Sequence, residues 1–169
     1  MDQQKGASST LKPRDTKPPV QKSGRLERQL KALRNRSAGK RRQAALTLGK
    51  LGDTRAIDPL IDALQDQAFG VRGCAALSLG LLGDRKAVEP LIRSLNDSDY
   101  TVREQVALAL GLLGDTRAVL PLNRALQDPF PRVRNRVILA LQMLGKHSDT
   151  MHFSNDDDLE EKELNHRLA

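Results

Sequence analysis

Few residues of this 169-residue chain have the means to do chemistry. His147, Asp149 and His152 fall close together and are of the kind that ligate a divalent metal, while His166 stands apart. Cys74 is the single thiol, which excludes an internal disulfide and any thiolate-built metal site and fits a reducing compartment. No glycine-rich phosphate loop follows a strand pattern, and no Cys-His or Ser-His-Asp set can be placed on one surface. The expectation is a chain without catalytic residues, metal or cofactor. With no Trp, one Tyr and three Phe, it also lacks the aromatic platforms on which single-stranded nucleic acid stacks.

The elements that must position any site are set by a repeat. Gly52, Gly83, Gly114 and Gly145 recur every 31 residues, and Pro59, Pro90 and Pro121 keep the same period. So do the columns Val71, Val102, Val133 and Arg72, Arg103, Arg134. A fixed period of this size marks a solenoid whose units bury their apolar faces only against their neighbours. Within 84–114, Asp84 is a candidate N-cap, and Ala87, Val88, Leu91, Ile92 and Leu95 follow at helical spacing. After a polar turn at 96–99, Val102, Val106, Leu110 and Leu113 mark a second helix ending at Gly114, which suits a left-handed cap. Pro90 is expected inside the first helix, bending it.

The pattern D-x-x-A-V-x-P-L-x-x-x-L-x-D followed by V-R-x-x-x-A-L-x-L-G-x-L-G resembles HEAT repeats, in particular the short HEAT-like type of phycobilisome lyases. It covers Asp53 to Gly145, with a weaker copy upstream in which Arg28 replaces the proline and Asn35 the aspartate. The predicted fold is therefore an all-α solenoid of four two-helix repeats, about 24–52, 53–83, 84–114 and 115–145. It is flanked by a basic tail (1–23), whose composition predicts disorder, and an acidic tail (146–169) with a candidate short helix. The fourth copy has Gln142 for the helix glycine and Lys146 for the aspartate, so the array is expected to end there. The resemblance implies that the Asp66/Arg72, Asp97/Arg103 and Asp128/Arg134 columns form a ladder between repeats and that the second helices line a concave face. Di-iron hydroxylases built of similar repeats carry paired His-Glu motifs, whereas His147, His152 and His166 are followed by Ser, Phe and Arg.

Gly49, Gly80 and Gly111 lie inside second helices, where glycine costs about 1 kcal/mol relative to alanine, and close helix approach is the expected compensation. The aromatics Phe69, Tyr100 and Phe130 are expected to pack at helix starts. On a helical wheel Leu108 falls opposite the buried stripe and Leu112 well away from it, and Leu77 with Leu81 and Leu139 with Met143 repeat the arrangement. Repeat one departs, with Leu46 and Lys50. These six side chains are the candidate protein-binding band. The variable positions Arg42, Gly73, Glu104 and Asn135, with Gln43, Cys74, Gln105 and Arg136, form its expected rim.

Charge is segregated: residues 1–50 hold fourteen Lys or Arg against three acids, 51–150 are balanced, and 151–169 hold two against six. Arg25, Arg28, Lys31, Arg34, Arg36, Lys40, Arg41 and Arg42 form a candidate basic patch for phosphate or an acidic protein. No stretch reaches the length of a membrane span and no secretory apolar run opens the chain, so a cytoplasmic protein without membrane association is expected. The leading functional expectation is a non-catalytic scaffold or adaptor that binds a protein through its second helices. One alternative, implied by the resemblance, is a phycobilin lyase subunit or bilin chaperone; another is nucleic-acid or ribosome association through the basic N-terminal region.

Overall fold

The structure, a computed structural model, describes residues 20–145, with side chains from Gly24 onward. Among these residues there are eight α-helices and no strands: α1 (Val20–Ala32), α2 (Ala38–Leu51), α3 (Ile57–Ala63), α4 (Phe69–Leu82), α5 (Val88–Ser94), α6 (Tyr100–Leu113), α7 (Val119–Ala125) and α8 (131–145). They pair as antiparallel-type units, α1 with α2, α3 with α4 and α5 with α6, and α4 packs between α2 and α6. This is an all-α solenoid. Helix α1 starts at Val20, ahead of the boundary expected at 24; the rest of the basic tail and the whole acidic tail lie outside the described residues.

The first helices of the second, third and fourth repeats are broken where a continuous helix was expected. In each, a 3-10 turn (Thr54–Ala56, Arg85–Ala87, Thr116–Ala118) precedes a short α-helix. Asp53, Asp84 and Asp115 cap these turns by accepting from the amides of Arg55, Lys86 and Arg117 at 3.0, 2.8 and 3.0 Å. Pro59, Pro90 and Pro121 then occupy the first turn of α3, α5 and α7, where a helical amide has no internal partner and its loss costs nothing. The bend thus belongs to the junction before the proline. Helix α1, with Arg28 in that column, runs unbroken through 13 residues.

The second helices end as their glycines require, with Gly52, Gly83 and Gly114 at φ of 67, 73 and 65°. Gly145, the last described residue, is still helical. Inside these helices, a Cβ on Gly49 would lie 2.6 Å from Ser78 Cβ, and one on Gly80 2.7 Å from Ala109 Cα. One on Gly111 would lie 2.9 Å from Ala140 Cα. Each glycine lets the following repeat's helix approach to backbone contact. Ser78, buried at one such contact, donates its hydroxyl to the Ala45 carbonyl at 2.8 Å.

The ladder is present and its direction is defined. Arg41, Arg72 and Arg103 each donate Nε and Nη2 to both oxygens of the aspartate of the next repeat, Asp66, Asp97 and Asp128, at 2.6 to 3.1 Å. The Nη1 of each arginine donates back to the turn of its own repeat, at the carbonyls of Asn35, Asp66 and Asp97. Bidentate charge-assisted bonds of this kind fix geometry as well as adding energy. Arg134 keeps the bond to its own turn, at Asp128 O, but meets no further rung among the described residues.

The ladder and caps make stability depend on acid. The Arg41 guanidinium holds Asp66 below the usual carboxylate range, Arg103 does the same to Asp128, and Arg117 lowers Asp115 to about 2. These carboxyls are more acidic folded than unfolded, where Asp titrates near ~3.9. Their contribution is therefore complete above about pH 4 and drains as pH falls through the folded values. Urea midpoints measured from pH 7 to pH 2 are expected to drop below pH 4, and Asp115→Asn is expected to lower the pH 7 midpoint while making the acid limb shallower. An acid limb identical in wild type and Asp115→Asn would contradict the assignment.

Candidate functional site

The band expected on the second helices is separated from the core as the wheel requires. Val102, Val106 and Leu110 of α6 are wholly buried, whereas Leu112 is 38% exposed and Leu108 half-buried. On α4 Leu81 is 54% exposed beside half-buried Leu77, and on α8 Leu139 is 41% exposed beside half-buried Met143. None of the six is sealed within the repeats. In repeat one, Leu46 is half-buried and Lys50 exposed, so the apolar character stops at α2.

The rim divides. Glu104, expected at the surface, is buried: its side chain is 8% exposed and held by Arg132 at 3.3 Å and Arg136 at 3.2 Å, which reach it from the next repeat. A carboxylate at that depth needs paired cations, so Glu104 acts as a clamp between α6 and α8. Arg136 is its partner and is largely spent on it. A hollow of about 320 Å³ beside Leu139 is lined by these three charged residues and Asn135.

Arg42 and Gln105 take part in a different hollow, of about 290 Å³, between α2, α4 and α6. Phe69, Cys74 and Leu77 supply its apolar wall, and Gly70 and Gly73 form its floor. Phe69 was expected to pack at the start of its helix and is 54% exposed instead. The reason lies in its neighbours: Tyr100 stacks on Phe130 at 4.5 Å, with Arg103 over the Phe130 ring, whereas the position preceding Tyr100 holds Asp99 and offers Phe69 no ring. Burial pushes the Cys74 thiol up and Arg42 pulls it partly back, which makes it a poor nucleophile.

Gly73 is unlike the other helical glycines. A Cβ there would lie 3.6 Å from Gln105 Cγ and 3.9 Å from Val102 Cα, ordinary contacts that alanine could make. Its cost of about 1 kcal/mol in the interior of α4 is not recovered by close packing.

Larger hollows lie on the other side of the array. One of about 900 Å³ separates α1 from α3 and one of about 580 Å³ separates α5 from α7, each lined by a ladder aspartate and a first-helix proline. Recurrence at equivalent junctions makes them features of the scaffold.

Of the basic patch, Arg25, Arg28, Lys31, Arg34, Arg36, Lys40 and Arg42 are exposed on α1, α2 and the turn between them. Arg41 leaves the patch, because its guanidinium is committed to Asp66. Among the described residues no cluster of His, Cys, Asp or Glu could hold a metal ion, and no helix is long and apolar enough to cross a membrane. His147, Asp149, His152 and His166 lie outside the described residues.

Helix pairs stacked through glycine contacts and an Arg–Asp ladder define an α-solenoid of the HEAT class. A family model for HEAT repeats matches residues 26–110 and again 88–153. The chain belongs to the HEAT-repeat family. It is similar to the structure of the complex of CpcE and CpcF of phycocyanin lyase from Nostoc sp. PCC7120, with TM-score 0.66 and 30% identity, over 83% of this chain and 59% of that one. Human deoxyhypusine hydroxylase in complex with glycerol shares the fold at TM-score 0.65 and 24% identity, over 78% of this chain and 47% of that one. The chain thus spans about half the length of these two neighbours. No curated protein matches it.

Proposed function

We propose that this chain is a non-catalytic scaffold or adaptor that recognises a partner protein through its second-helix surface. The observation that carries this reading is the band Leu77, Leu81, Leu108, Leu112, Leu139 and Met143, exposed or half-exposed on the second helices of three successive repeats, apart from the stripe that each helix buries in the core. Leucines aligned across repeats and open to water cost solubility unless a partner covers them. In affinity capture from the source cells, Leu81→Glu with Leu112→Glu is expected to reduce partner recovery about thirtyfold. That corresponds to the loss of about 2 kcal/mol at an interface centre. Melting should stay near that of wild type because both side chains are exposed. Undiminished recovery by a folded double variant would refute the reading.

A second reading, as a subunit of a phycobilin lyase or a bilin chaperone, draws on the likeness to the CpcE and CpcF complex. Its test is optical. Mixing the chain with bilin and an apo-phycobiliprotein, alone and with a candidate second subunit, should change the visible spectrum if the reading holds; an unchanged spectrum with both counts against it. Association with nucleic acid would rest on the exposed arginines and lysines of α1 and α2, and would show as a steep fall of affinity with salt.

A further inference from the structure

Two residues that are locally unfavourable face the same hollow. Gly73 weakens the middle of α4, and the helix on the other side of the hollow, α2, carries Lys40, Arg41 and Arg42 in its N-terminal part with no acid in its first turn. Cations at a helix N-terminus oppose the helix dipole. Arg41 is compensated by Asp66; Arg42 is exposed and has no ion-pair partner among the described residues. Where a sequence breaks local rules without recovering the cost inside the fold, the cause is sought in function.

The hollow has a definite chemistry. Phe69, Cys74 and Leu77 make it apolar on the α4 side, and the missing side chain of Gly73 gives it depth. The corresponding positions of the other repeats hold Arg42, Glu104 and Asn135, and the hollow at the equivalent junction of α6 and α8 is lined by Glu104, Arg132 and Arg136, so what sets the second repeat's hollow apart is its bare glycine and apolar wall. Arg42 lies along its edge, its stem about where a side chain on Gly70 would meet it, at 3.4 Å. At about 290 Å³ the hollow falls just below the range that encloses small-molecule ligands, about 300–1,000 Å³. It opens onto the same surface as Leu77 of the exposed band.

We infer that this hollow is the specificity pocket of the partner-binding surface: it takes one large apolar side chain from a partner's acidic peptide segment, with a neighbouring carboxylate of that segment paired to Arg42. The inference rests on the second-helix surface being the partner face. Gly73 is kept bare so that the incoming side chain can reach the helix backbone, Phe69 stays unstacked to close over it, and Arg42 selects for an acid beside it.

The test uses a random twelve-residue peptide display library selected on the full chain, followed by anisotropy titration of a synthesised winner. Selected peptides should share Leu, Ile, Met or Phe next to Asp or Glu. Gly73→Leu fills the hollow and should weaken the winner at least tenfold, while Gly73→Ala, whose methyl covers only the floor, should weaken it about threefold. Arg42→Glu should also weaken it about tenfold, and replacing the peptide's acid by lysine should restore much of that loss. Should Gly73→Leu fail to fold, Phe69→Ala, which removes an exposed side chain, should cost at least fivefold. The proposal is overturned if selection yields no acidic-apolar motif, or if folded Gly73→Leu and Phe69→Ala bind the winner unchanged. Loss of native-partner capture in Leu81→Glu with Leu112→Glu but not in Gly73→Leu would remove the pocket and leave the band; retention in both would remove both.

Discussion

Gly80→Leu is expected to destabilise the array by about 3 kcal/mol or more, lowering its melting temperature by roughly 10 °C or more. The Cβ alone would sit 2.7 Å from Ala109 Cα and 2.9 Å from Ala109 Cβ, with the Ala109 carbonyl oxygen at 3.3 Å. Two of these three atoms are backbone, so no rotamer change can relieve the clash and α6 as a whole must retreat from α4. Retreat would also open the contacts around Leu79 and Leu110, both fully buried. The control is Gly73→Ala in the same helix, which meets only ordinary contacts and should gain about 0.5–1 kcal/mol from helix propensity and reduced unfolded-state freedom. Urea or thermal unfolding of both variants decides the matter. Equal losses would mean that packing distance has no bearing on these glycines.

Asp97→Ala should cost about 2–3 kcal/mol. Asp97 accepts Nε of Arg72 at 2.6 Å and its Nη2 at 2.8 Å, and also caps the amide of Asp99 at 2.9 Å. The two side chains are 14% and 10% exposed, so removing the carboxylate leaves a guanidinium largely out of water with half its donors unmet. Breaking a fully buried pair costs about 3–5 kcal/mol, and the residual solvent here discounts that figure. Asp97→Asn should cost about half as much, because an amide oxygen can still cap the turn, as Asn35 does for the Ser37 amide at 2.9 Å. A double-mutant cycle with Arg72→Met isolates the rung. The exposed pair Arg55–Asp53 should show less than about 1 kcal/mol in the same measurement, and a ladder coupling no larger than that would remove its claim to hold the repeats in register.

Most of the scaffold was legible because its determinants are periodic. The 31-residue columns exposed the two-helix unit, the left-handed glycines and the ladder, and the wheel separated Leu108 and Leu112 from Val106 and Leu110. What escaped was decided between repeats. Glu104 reads as an ordinary surface acid on α6, and only the approach of α8 brings Arg132 and Arg136 onto it. Phe69 and Tyr100 share a column, yet their fates depend on whether the position thirty residues downstream of each holds a ring, Asp99 for the first and Phe130 for the second. Gly73 was visible as a variable position, but a void is the relation of three helices and leaves no local mark. The 3-10 turns were hidden because an aspartate cap followed by a proline six residues on is compatible with either helix type at the entry.

The two ends of the ladder do not match. Among the described residues Arg134 meets no aspartate with the edge that grips one elsewhere, while the corresponding turn at the other end carries Asn35, a neutral amide already engaged with Ser37. Gln142 stands where the inner helices keep glycine, and Ile138, 47% exposed, stands where they bury Ala45, Ala76 and Ala107. A helix packed on α8 in the pattern of the earlier repeats would therefore meet a bulky amide at the seam. Helix α8 therefore does not offer the close-contact face that α2, α4 and α6 each offer to the helix that follows.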